Sequence, residues 1–268
     1  MRRSGMFWGL VLIAVGGLLL LDNLGLLAFD IWRLMGPVLL VALGLWVLLA
    51  KPARMGVEAI EGEALSVPLQ GASQAKVSIR HGAGNLNLSS GAAAGELLSG
   101  SFRGGVGHSS HLDGNVIKTK LSGGADHFPL PSPLGSWRDG LNWDVAFNSE
   151  IPLSLDCRTG ASESRFDLKE LKVTEFDLRC GASEVTLWLP EAAGHSRVDI
   201  RGGMGSIKIH VPEKVAARIS ISSGMSDISI DQARFPTRGG VHESPDFNSA
   251  ANKVELRLRT GMSSVEII

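Results

Sequence analysis

Tyrosine is absent from this 268-residue chain, cysteine occurs twice, and aromatic residues make up only 6% of it. Two cysteines, Cys157 and Cys180, cannot build a disulfide framework for a chain of this size. Charge is missing from one region. The first fifty residues hold only Arg2, Arg3, Asp22, Asp30 and Arg33, and removing these from totals of 26 basic and 27 acidic residues leaves 23 and 25 from Lys51 onward. That near-balance contains no run of Lys or Arg, which argues against an electrostatic grip on nucleic acid. Also missing are a G-x-S-x-G elbow, a G-x-x-x-x-G-K-[ST] phosphate loop and an H-E-x-x-H zinc motif. No catalytic residue, cofactor or metal site is therefore expected.

What the first fifty residues do have is apolar length. Met6–Leu21 carries no charge, and Leu34–Ala50 repeats the feature after a connection holding Asp22, Asp30 and Arg33. Sixteen residues make a helix of about 24 Å, close to the ~30 Å hydrocarbon core of a bilayer. An Asp at mid-bilayer costs at least ~2.5 kcal/mol, so the connection belongs at an interface. Residues 1–50 thus read as a transmembrane helical hairpin in a multi-pass plasma-membrane protein, with 51–64 as a linker. A cleaved signal peptide is the competing reading, but no A-x-A site follows and a second span does. Arg2 and Arg3 before the first span, and Lys51 and Arg54 after the second, place both ends in the cytoplasm by the positive-inside rule.

From Leu65 to Ile268 the sequence repeats. The G-[AM]-[GS] step recurs at Gly82, Gly160, Gly181, Gly203, Gly224 and Gly261, with weaker copies at Gly104 and Gly123. The glycines from 160 to 224 are 21 or 22 residues apart, and a Pro/Gly/Ser-rich insertion near 232–250 stretches the next interval to 37. Apolar residues alternate on both sides, as in Val198 and Ile200 before Gly203 and Ile207 and Ile209 after it. Period-two alternation is a strand with one buried face. A unit of two such strands cannot bury that face alone, so the units must stack. The predicted fold is an all-β repeat domain over 65–268, a β-solenoid or related stack of about eight rungs, with the six glycines at its corners in positive-φ conformation. The last copy, ending Val265, Glu266, Ile267 and Ile268, would then leave an open strand edge for a partner or a second copy.

The remaining chemistry is thin. His108, His111, Asp113, Asp126 and His127 are ligand types at short spacing, but in a Gly/Ser-rich stretch where solvated histidines are the simpler reading. Asp139 and Asp144 near Trp137 and Trp143 suggest a carbohydrate cleft, against the plainer alternative of indoles covering the side of the stack. Cys157, and Cys180 on the same parity, read as small buried hydrophobes.

The hydrophobic stretches RRSGMFWGLVLIAVGGLLLLDNLGLL and IWRLMGPVLLVALGLWVLL resemble the membrane region shared by LiaI- and LiaF-type proteins. The segments IPLSLDCRTGAS, FDLKELKV, FDLRCGASEVTLWLP and HESPDFNSAANKVELRLRTGMSSVEII resemble the toast-rack β-repeat domain of LiaF-type envelope-stress proteins and of candidate adhesins. The resemblance implies a non-enzymatic membrane protein that senses or regulates the envelope-stress response by contact with other proteins. An exported structural or adhesive module of the same fold is the alternative, and a hydrolase built on the Trp/Asp loop a third.

Overall fold

The computed structural model describes residues 63–123 and 141–268, and every described element is a strand or a turn. The predicted hairpin at 1–50, the linker through Gly62, and Asp126, His127, Trp137 and Asp139 lie outside the described residues. Among the described residues no helix is long and apolar enough to cross a membrane.

Each repeat forms one rung, with a strand before its glycine and a strand after. Three repeats run through the corner as single long strands: β10 (Val173–Trp188), β11 (His195–His210) and β16 (Lys253–Ile267). The others are split, as β2 (Gln74–His81) with β3 (Gly84–Ser90), β8 (Leu153–Thr159) with β9 (Ser162–Asp167), and β12 (Ala216–Ser223) with β13 (Asp227–Ile230). A further rung combines β6 (Val116–Ser122) with β7 (Leu141–Phe147); Gly123, directly after β6, lies opposite His81, one place before the corner column. The rungs stack in parallel and in register. Glycine lies against glycine, and apolar position against apolar position, as with Val198 beside Phe176 and Leu256. The alternation becomes burial: Val77, Ile79, Phe176, Leu178, Val198, Ile200, Leu256 and Leu258 are all at most 1% exposed. The inward faces before and after the corner close on one another as a single hydrophobic core. Leu189 and Val211 stay buried at two rung ends, and the prolines that follow them stop the ladder.

Rung order departs from chain order, so of the two forms expected the stack is not a consecutively wound β-solenoid but a related stack of rungs. In space the rungs run β6/β7, β2/β3, β8/β9, β10, β11, β16, β12/β13. The β6/β7 rung lies outside β2/β3, although it follows it in the chain. The β16 rung inserts between β11 and β12/β13, pairing Ile207 with Val265 on one side and Val265 with Ile228 on the other. All rungs share one register, so nothing local obliges neighbours in sequence to be neighbours in space.

Antiparallel strands close the ends. β4 (Glu96–Arg103) covers β7 and is covered in turn by β1 (Glu63–Pro68), while β5 (Gly107–Asp113) covers β6. Gly104, with φ of 90°, joins β4 to β5, so that weak copy is a rung running in reverse. At the opposite end β15 (Val241–Glu243) covers β12, and β14 (Thr237–Arg238) covers β15.

Candidate functional site

The corner glycines form a column in the order Gly82, Gly160, Gly181, Gly203, Gly261, Gly224, and the reason for glycine there differs from the one expected. None of the six has positive φ. A Cβ on Gly160, Gly181, Gly203, Gly261 or Gly224 would instead lie 2.7–3.0 Å from the carbonyl oxygen of the glycine on the adjacent rung. Close backbone approach, not left-handed conformation, requires these residues. Positive φ falls two residues later, at Gly84 (128°) and Gly205 (135°), where a Cβ would meet backbone oxygen within about 2 Å. Where serine takes that place it is partly or fully buried: Ser183 Oγ donates to Gly160 O at 2.9 Å, whereas Ser263 Oγ has no partner among the described residues. The column is structural.

Val265 and Ile267 are not at an open edge. They are 1% and 0% exposed and paired on both sides, because the last repeat is an interior rung. Only Ile268 is exposed, at 42%, and its backbone is held by Ile209 and Val211. The free edge belongs to β13, which pairs with β16 alone among the described residues. Its inward residues Ile228 and Ile230, and Ile221 beside them, are only partly buried, whereas their counterparts Ile200, Ile207 and Ile209 are at most 2% exposed. Asp227 and Ser229 point outward, and Met225 just before the strand is 79% exposed. The chain then turns away. Asp231 Oδ1 accepts the amides of Ala233 and Arg234, Phe235 is buried, and the Arg234 guanidinium donates to the carbonyls of Val211, Pro212 and Val215. The signal for this edge was present in the sequence: the interval after Gly224 is 37 residues, against 21 or 22 between the glycines before it, leaving room for its neighbour to come from elsewhere.

The other candidates separate. His108 and His111 lie three apart on β5, so their side chains leave opposite faces of the strand. Asp113 bonds Lys118 Nζ at 2.5 Å, which holds its carboxyl below the usual range. Trp143 is no cleft wall: it is fully buried, edge-on to Phe102 and His81, while Asp144 bonds Asn87 at the surface. His81 sends Nε2 to Leu141 O at 3.3 Å and leaves Nδ1 without a partner; burial lowers its pKa. Cys157 is buried as expected and its thiol pushed far up by burial, but Cys180 is only partly covered. The surface depressions are shallow; one is lined by Thr174, Glu175, His195 and Arg197. Among the described residues no three His, Cys, Asp or Glu side chains converge as metal ligands.

Residues 6–48 match the LiaI-LiaF-like transmembrane region. A solved structure of a candidate cell adhesion protein from Clostridium sporogenes ATCC 15579 superimposes with TM-score 0.69 and 20% identity, covering 77% of this chain and 98% of that one. At that identity it shows a shared fold. A candidate adhesin from Bacteroides fragilis NCTC 9343 aligns at TM-score 0.26 and 7% identity over 81% of this chain and 99% of its own, too weakly to support an argument. No curated protein matches the chain. Residues 57–210, more than half of the chain, match the family described as the N-terminal domain of toast_rack, DUF2154, and the chain belongs to that family.

Proposed function

We propose that this protein is a non-enzymatic, membrane-anchored component of a cell-envelope stress response, acting by contact between its β domain and partner proteins. The observation that carries the reading is the tandem of a LiaI-LiaF-like transmembrane region and a toast-rack domain in one chain. In this reading the β domain is cytoplasmic and the protein contact is made at the β13 edge. A strand edge with unpaired backbone groups and partly covered isoleucines accepts an added strand, and outward Asp227 favours a basic residue opposite it. An adhesin-like exported module is the second reading, favoured by the coverage of the clostridial structure.

Sidedness separates the two. A cytoplasm-active reporter fused after Ile268 of the full chain should work, and an export-dependent one should stay silent. Deleting the protein should change the output of an envelope-stress reporter, with wild type restoring it and Asp227→Lys failing to do so at equal protein level. An active exported reporter together with an unchanged stress response would remove the regulatory reading and leave the adhesive one.

A further inference from the structure

The parallel register that stacks the glycines also stacks what lies two residues before them. On successive rungs those residues are Arg80, Arg158, Arg179, Arg201 and Arg259, each directly paired with the next. All five are exposed. Rungs spaced about 4.8 Å apart make this a straight row roughly 19 Å long, one guanidinium wide. In the sequence the five are scattered from residue 80 to residue 259, so no basic run betrays them.

Such a row is costly in isolation, because like charges directly opposite one another on neighbouring strands repel. Internal compensation is partial. Arg158 pairs with Asp156 at 3.5 Å and Arg201 with Asp199 at 3.0 Å, while Arg80, Arg179 and Arg259 have no carboxylate partner among the described residues. The flanking row Asp156, Asp177, Asp199 is itself in register and ends there, since the next position is Arg257. Crowding in that row is evident at Asp177, whose carboxyl is pushed up by burial and by the nearby charges of Glu175, Asp199 and Asp156. Solubility alone does not call for a single sign repeated along one line, because mixed charges serve it as well.

We propose that the arginine row binds a linear phosphate-bearing polymer laid along the stack axis. Guanidinium forks match phosphate oxygens bidentately, and a rigid parallel ladder presents them at fixed spacing without ordering a loop. The occupant is a thread because over the three central rungs the row is one residue wide and flanked by Asp156, Asp177 and Asp199, which a flat anionic membrane surface would also meet. Its recognised part is the phosphate chain, because the outward positions next to the row, Asp156, Asp177, Asp199 and Arg257, offer no aromatic platform on which nucleobases could stack, and the stacked Trp188 and His210 lie past the corner at the far ends of β10 and β11. This inference is independent of the protein contact proposed at β13, which lies beyond the corner.

The test uses the full chain in nanodiscs of zwitterionic lipid, titrated with fluorescently labelled inorganic polyphosphate across a salt series. Binding should weaken with a log–log salt slope of about −3.5, on the order of 0.7 for each of the five arginine contacts. Arg179→Gln with Arg259→Gln should reduce affinity at least about tenfold and flatten the slope by about 1.4, since two charge contacts are lost. The corresponding Lys pair, which keeps charge but loses the fork, should fall between. Arg165→Gln with Lys208→Gln, past the corner on the other outward face, should bind like wild type. Failure of wild type to bind at low salt overturns the proposal, as does equal weakening by the Arg165/Lys208 variant. A single-stranded oligonucleotide of matched length binding more tightly than polyphosphate, or anionic-lipid vesicles competing polyphosphate off the row, would also overturn it in favour of that ligand.

Discussion

The two ends of the stack are built from the same repeat yet finished differently. At the end formed by β6/β7, antiparallel strands cover both halves of the rung, and Trp143, Val145 and Phe147 beneath them are at most 2% exposed. At the other end, among the described residues, only β12 is covered, and Ile221, Ile228 and Ile230 remain partly open. A reversed strand ends a parallel stack because it satisfies the last row of backbone groups without offering the repeat register to a further copy. The end that lacks one on β13 is where the proposed protein contact is drawn, from the pairing pattern and without any motif.

Five outcomes would sharpen or break the contrast, each measured by thermal or denaturant unfolding of the full chain in detergent. The largest effect is expected in the interior: Ile200→Ala deletes a fully buried side chain and should cost about 2–5 kcal/mol. Ile221→Ala, the equivalent position on the open rung, should cost less than about half as much. Equal costs would mean that the open end is covered. Next come the corners. A methyl on Gly203 meets the Gly181 carbonyl at 2.9 Å between two fixed rungs, and Gly203→Ala should cost about 1–3 kcal/mol. Gly224→Ala makes the same contact, 2.8 Å from Gly261, on an end rung free to shift outward, and should cost below about 1 kcal/mol.

The smallest effect concerns pH at the covered end. Burial lowers the pKa of His81 in the folded state, so below the ordinary value of about 6.5 the unfolded chain takes up the proton first. Stability should therefore fall as pH drops from about 6.5 toward the folded pKa and level off below it, and His81→Gln should remove that component. An unchanged pH profile in the variant would show that His81 is reached by water.

The strands were legible because one buried face imposes period-two alternation, and Val198, Ile200, Ile207 and Ile209 display it without ambiguity. The corners were legible because the rungs touch there, although the glycine requirement was assigned to backbone conformation when it comes from the neighbouring carbonyl. Rung order was not legible. An Ile at one position of β12 packs as well on β16 as on β11, so the alternation that reveals each rung is silent about its neighbour. That silence moved the expected edge from β13 to Val265 and Ile267. The arginine row was present in the repeat alignment, two places before each glycine, but a search for contiguous charge could not find a line that exists only across rungs.

The placement of β16 has a consequence for biosynthesis. It is made after β12 and β13, yet in the finished stack it lies between them and β11. A ribosome that has delivered everything through β13 therefore holds a chain whose penultimate slot is empty. β12 and β13 must either wait apart or pair provisionally with β11, whose register would accept them. Where they pair with β11 first, completing the domain requires that pairing to open again for β16 to enter. Non-local parallel pairing is slow to form, and an unfilled slot of this kind exposes strand edges while it lasts.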